Sequence, residues 1–113
     1  MDDYTKIQIY ALHASFCKAL AEPKRLLIIE ALRGGPTTVG GLAEELGVSQ
    51  SNVSQHLALL RERGIVLAER SGNNVFYRLA TPKVLEAIDI LRDIMAEQLA
   101  ERDALHGAAA RSA

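Results

Sequence analysis

Apolar positions recur at helical spacing along most of this chain. From about Tyr4 to Leu20 the stripe is Ile9, Leu12, Phe16 and Leu20, widened by Ile7 and Ala11. Asp2 and Asp3 precede it, where acidic side chains favour a helix start. Pro23 suits the first turn of a second helix, which carries Leu26, Leu27, Ile29 and Leu32 and breaks at Gly34-Gly35-Pro36. Thr37 or Thr38 can cap a third helix bearing Leu42, Ala43 and Leu46. Its start is weakened at Gly40 and Gly41 by roughly 1 kcal/mol each relative to alanine. Gly47 suits a helix end, and Ser49 suits the N-cap of the next helix, whose stripe is Val53, Leu57 and Leu60. Gly64 ends that helix.

The period then changes. Ile65-Val66-Leu67 and Val75-Phe76-Tyr77-Arg78-Leu79 are β-branched, aromatic and partly alternating. Ser71-Gly72-Asn73-Asn74 between them is a strong turn signal, so a β-hairpin is predicted. Thr81-Pro82 opens a last helix, with threonine as cap and proline at the first helical position. Leu85, Ile88, Leu91, Met95 and Leu99 form its stripe, flanked by Val84, Ile90 and Ile94, wider than a small domain can cover.

Two helices joined across Gly47 and Ser49 have helix-turn-helix spacing, and the second is then the DNA-reading helix. A hairpin directly after it is the wing of a winged-helix domain. The fold expected is mainly α with a small β-hairpin wing, a winged helix-turn-helix in the order α-α-α-α-β-β-α. Residues 1–106 are expected to form one DNA-binding and dimerisation domain, and 107–113, GAAARSA, a flexible C-terminal tail.

Composition narrows the classes. At 113 residues with 49% apolar content the chain suits one domain with a real core. No apolar run approaches the ~18 residues of a membrane span, and Met1-Asp2-Asp3 is unlike a basic leader, so no membrane and a cytoplasmic location are expected. The net charge of −1 is not that of a strongly basic nucleic-acid binder. Its distribution is more telling. Residues 49–80 hold Arg61, Arg63, Arg70 and Arg78 against Glu62 and Glu69, whereas residues 81–113 carry an acidic excess. No phosphate loop, nucleophile elbow or convergent acid–base pair occurs, so no enzyme and no catalytic residue is expected.

Three stretches together resemble the ArsR/SmtB family of bacterial and archaeal repressors. They are FCKALAEPKRL from Phe16 to Leu26, SQSNVSQHL from Ser49 to Leu57, and LRERGIV from Leu60 to Val66. The likeness covers roughly residues 9–100. It implies a sequence-specific transcriptional repressor, dimeric through its first and last helices, the same two whose stripes are too generous for a monomer. A two-fold homodimer presents two recognition helices about 34 Å apart and calls for a palindromic operator in double-stranded DNA.

The polar face of the recognition helix carries Gln50, Ser51, Asn52, Ser54 and Gln55. Amide side chains can pair bidentately with adenine, and serine hydroxyls can reach bases or phosphates. Arg61 and Arg63 fit either phosphate contacts or ordinary surface charges, and Arg70, Asn73 and Asn74 fit wing contacts to backbone or minor groove. Arg78 can face away, since strand residues alternate. His56 matches a family position that supports the fold by hydrogen bonding.

The family's metal motifs are missing. Thr38 to Leu46 holds no cysteine, and Asp89 is followed two places on by Leu91 where the zinc and cobalt sensors have histidine; the later stretch offers Arg102, Asp103 and His106, so the ligand set is incomplete. No metal site and no cofactor is carried over. The effector that releases DNA is left to His13 and Cys17, four residues apart on one helix face. Histidine can activate a thiol, or the pair can supply two ligands of an intersubunit site. The structural alternative is that Cys17 is a small apolar core residue and His13 a surface or interface residue. With one cysteine, a disulfide within the chain is excluded. A different class of function, a winged-helix protein-docking module without DNA binding, accommodates the same fold.

Overall fold

The structure is a computed structural model that describes residues 2–112, with side chains described for 2–107. Its elements are α1 (Asp3–Ala19), α2 (Pro23–Ala31), a 3₁₀ turn (Leu32–Gly34), α3 (Val39–Leu46), α4 (Gln50–Glu62), β1 (Val66–Ser71), β2 (Asn74–Leu79) and α5 (Lys83–Ser112). The winged helix-turn-helix order predicted from the sequence is the order found. The chain divides after Pro82 into two units.

In the first unit each helix begins on a side chain that accepts from an otherwise unpaired amide. Asp2 accepts from Thr5 N–H (2.7 Å), Glu22 from Arg25 N–H (3.1 Å), Thr38 from Gly41 N–H (3.0 Å) and Ser49 from Asn52 N–H (3.0 Å). Of the two threonines open as caps for α3, Thr38 is the one used. Thr37 is instead bridged to the hairpin: its N–H donates to Tyr77 O (3.0 Å), and Tyr77 N–H donates to Thr37 O (2.7 Å). Pro23 stands in the first turn of α2, as expected.

The core is built by α2, α3, α4 and the root of the hairpin. Ile28, Ile29, Leu32, Leu42, Val53, Leu57, Leu60, Ile65 and Val66 are all buried. The stripe predicted for α4 is therefore the one buried. The stripe predicted for α2 is corrected: Ile28 enters the core with Ile29, while Leu27 is 53% exposed and Leu26 also reaches the surface. Four apolar residues in a row satisfy more than one stripe, and the rotation of the helix is settled by what it packs on.

The hairpin is antiparallel in the register Val66↔Leu79, Ala68↔Tyr77, Arg70↔Val75 and Ser71↔Asn74. Its strands run further toward the tip than the sequence suggests, so Ser71 and Asn74 are paired and only Gly72-Asn73 form the loop. Gly72 takes φ +62°, the positive value that a two-residue hairpin turn needs at its first loop position. Ile65, predicted as strand, lies just before β1 and is buried.

α1 is largely uncovered. Tyr10 and Leu12 are each 70% exposed, and of its apolar positions only Ala19 is buried.

The second unit is the single helix α5. It begins at Lys83, so Pro82 precedes the helix rather than occupying its first position. Leu85 and Ile88 are half-buried, whereas Ile90, Leu91, Ile94, Met95, Leu99 and Leu105 are exposed. Helix continues to Ser112, into the stretch expected to be a flexible tail. The side chains of 108–112, and Ala113 altogether, lie outside the described residues. Among the described residues no helix is long and apolar enough to cross a membrane.

Candidate nucleic-acid interface

The turn between α3 and α4 is Gly47-Val48-Ser49. Gly47 takes φ +67°, and both its N–H and that of Val48 (3.1 Å) donate to Ala43 O, closing α3. This left-handed closure is cheap only for glycine. Ser49 starts α4 two residues later. The tight reversal buries one face of α4 on α2 and α3 and turns the other outward.

Helical rotation sorts the predicted residues. Val53, Leu57 and Leu60 define the inner face. Opposite them runs a ridge of Ser51, Ser54, Gln55, Ala58 and Glu62, all exposed, with Gln50 and Arg61 on its flank. The structure therefore brings Gln50, Ser51, Ser54 and Gln55 together as one polar surface at the N-terminal half of the helix. Asn52 stands apart from them. It lies a quarter turn away toward the inner face and is half-buried, and its Oδ1 is buried without a hydrogen-bond partner among the described residues. The signal was in the sequence, since Asn52 sits one place before Val53 and one turn before His56, on the side of the stripe.

The wing residues Arg70, Asn73 and Asn74 are exposed at the far end of the hairpin. Arg70 shares a hairpin face with Val75, Tyr77 and Leu79. Arg78 is on the opposite face, where its Nε donates to Glu69 Oε1 (2.7 Å), and its Nη1 donates to Leu79 O (3.2 Å). Between α4 and β2 lies an open notch of about 470 Å³, lined by Ser54, Leu57, Ala58, Arg61, Glu62 and Tyr77.

The Glu-Pro-Lys-Arg entry to α2 explains how α4 is held. Arg25 donates from Nε to Ala19 O (2.6 Å) and from Nη2 to Lys18 O (3.1 Å), both carbonyls of the last turn of α1. Its Nη1 faces His56 Nδ1 on α4 at 3.5 Å, and Glu22 Oε2 lies 3.8 Å from His56 Nε2. His56 thus lies between the guanidinium of Arg25 and the carboxylate of Glu22. One guanidinium thus ties the end of α1, the start of α2 and the middle of α4, in keeping with the supporting role expected of His56.

His13 and Cys17 are both exposed on α1. Cys17 is thus no part of the core of the single chain. Among the described residues no group of three or more His, Cys, Asp or Glu is placed to hold a metal ion.

Comparison with known proteins agrees with this architecture. The sequence profile of bacterial regulatory proteins of the arsR family matches residues 22–67. The HTH-type transcriptional regulator Rv0081 of Mycobacterium tuberculosis is 39% identical over 86% of this chain and 86% of its own length. Its crystal structure matches with a TM-score of 0.76, covering 83% of this chain and 95% of that one. The biofilm growth-associated repressor of Xylella fastidiosa is 36% identical over 75% of each chain. The solution structure of the homodimeric winged helix-turn-helix DNA-binding domain Mb0332 from Mycobacterium bovis matches with a TM-score of 0.78 at 29% identity, covering 88% of this chain and 91% of that one. The chain belongs to the ArsR family of bacterial regulatory proteins: it is a DNA-binding transcriptional regulator of the winged helix-turn-helix class, and not an enzyme.

Proposed function

We propose that the protein is a repressor that acts in the cytoplasm as a homodimer on a palindromic operator. The observation that carries this reading is the ridge of Ser51, Ser54 and Gln55, with Gln50 beside it, exposed at the N-terminal half of a capped 13-residue helix. Gln50 and Gln55 supply amides for base edges, and Ser51 and Ser54 supply hydroxyls for bases or phosphates. Arg61, Arg70, Asn73 and Asn74 hold the backbone and minor groove on either side. Asn52 belongs to this set by sequence position, but its half-buried placement suits the support of the helix better than base reading.

The uncovered apolar residues of α1 and of α5 support dimerisation through these two helices, because a lone soluble domain rarely exposes so many. The homodimeric relative from M. bovis supports the same arrangement. The effector that lifts repression acts, in this reading, on the surface pair His13 and Cys17.

Fluorescence anisotropy against duplex from the protein's own promoter tests the proposal. Gln55→Ala is expected to cost about 1–3 kcal/mol on the operator and little on shuffled DNA of the same composition. Binding by the wild type that ignores sequence and salt refutes the operator reading.

A further inference from the structure

The notch between α4 and β2 contains one polar side chain that the operator reading above does not use. Tyr77 is half-buried, stands opposite Ala68 in the hairpin, and has both its backbone N–H and its carbonyl committed to Thr37. The side chain emerges on the same hairpin face as Arg70, and Tyr77 lines the notch with Ser54 and Arg61. The phenolic hydroxyl has no hydrogen-bond partner among the described residues. It is not among the buried unpaired atoms either, so it opens to solvent. The Arg61 guanidinium has no carboxylate partner among the described residues, although Glu62 lines the same notch, and the Ser54 hydroxyl is likewise unpaired. Three residues that carry hydrogen-bond donors, Ser54, Arg61 and Tyr77, thus line one open space from two elements, next to the helix surface assigned to the major groove. A tyrosine held this rigidly loses little conformational freedom when its hydroxyl is engaged.

We propose that Tyr77 donates a hydrogen bond to a DNA backbone phosphate seated in this notch, together with Arg61 and Ser54. The proposal rests on the operator-binding reading. The contact fixes the angle between recognition helix and wing on the duplex and carries no base information. Glu62 offsets part of the charge of Arg61, so the neutral hydroxyls supply a large share of the attraction.

The test is fluorescence anisotropy with two labelled 30-base-pair duplexes, one from the protein's own promoter and one shuffled, across a salt series. Tyr77→Phe removes only a hydroxyl without an internal partner, so thermal stability is expected to stay that of the wild type. Affinity should fall roughly 3- to 10-fold per protomer on both duplexes. The salt slope should stay unchanged, because no charge is lost. Arg61→Gln, at an exposed position of α4 whose side chain makes no ion pair among the described residues, should weaken both duplexes and lower the slope by about one per protomer. Affinity of Tyr77→Phe within twofold of wild type on both duplexes overturns the proposal. So does a loss confined to the promoter duplex, which would mean base readout. If the wild type binds neither duplex, the operator-binding reading itself falls, and this proposal falls with it.

Discussion

Arg25 is the residue whose removal the structure prices most clearly. It donates to two carbonyls at the end of α1, Ala19 O at 2.6 Å and Lys18 O at 3.1 Å, and approaches His56 on α4 at 3.5 Å. Hydrogen bonds from a charged donor contribute about 1.5–3 kcal/mol each when sheltered. Arg25 is half-buried, so the lower end applies to these two, and the long contact to His56 adds little. Truncation also leaves the carbonyl of buried Ala19 without this donor, a loss that water can offset only in part. Arg25→Ala is therefore expected to destabilise by about 2–4 kcal/mol, or about 10–20 °C in Tm for a domain of this size. Arg25→Lys should recover less than half, because an ammonium cannot serve two carbonyls and a ring nitrogen in the geometry of a planar fork. Urea unfolding followed by circular dichroism at 222 nm, at one fixed protein concentration because dimerisation couples to stability, measures both. A loss under about 1 kcal/mol for the alanine variant, or full recovery by lysine, would refute the view that this guanidinium joins α1, α2 and α4.

Two further predictions concern helix starts. Gly40 and Gly41 adjoin in α3 but differ in surroundings: a Cβ at Gly40 would meet nothing nearer than Gln50 Nε2 at 3.6 Å, whereas one at Gly41 would lie 2.6 Å from Thr37 Oγ1. Gly40→Ala should thus raise stability by up to about 1 kcal/mol through helix propensity. Gly41→Ala should gain nothing or lose, since the Thr37 backbone is pinned to Tyr77, and equal gains in chemical denaturation would contradict the packing described. At the start of α1, the bond from Thr5 N–H, and then the Thr5 side chain, hold the Asp2 carboxyl below its ordinary value of 3.8. A depressed carboxyl stabilises the folded turn above 3.8, and the benefit fades as pH falls through the lower folded value. The Thr5 amide resonance should titrate in that acidic window in the wild type and not in Asp2→Asn; a flat wild-type profile would remove the cap.

Much of the architecture was legible because its signals are local. Ser49, Gly47 and the Val53–Leu57–Leu60 stripe each act within a turn or two of their own position, so the recognition helix could be placed with its caps and its buried face. The candidate interface was partly legible for the same reason, since residues opposite a known stripe must face outward. The difficulties came where the stripe was ambiguous or the partner distant. Leu26-Leu27-Ile28-Ile29 has no period of its own, and the choice of Ile28 over Leu27 for the core followed from the packing against α3 and α4. Asn52 reads as one of five neighbouring polar residues until the rotation of α4 sets it on the half-buried flank.

The sequence by itself determined the order of elements, the places where helices start and stop, and the outward polar ridge of α4. These depend on dihedral preferences and on unpaired backbone groups a few residues away. The tertiary structure alone decided what spans the gaps between elements. Arg25 reaches His56 from 31 positions away, and Tyr77 is locked to Thr37 from another element. Arg78, equal in charge to Arg70, is committed to Glu69 on the opposite face of the hairpin. No periodicity records such pairs, because they exist only once helices and hairpin have docked and distance in space has replaced distance along the chain.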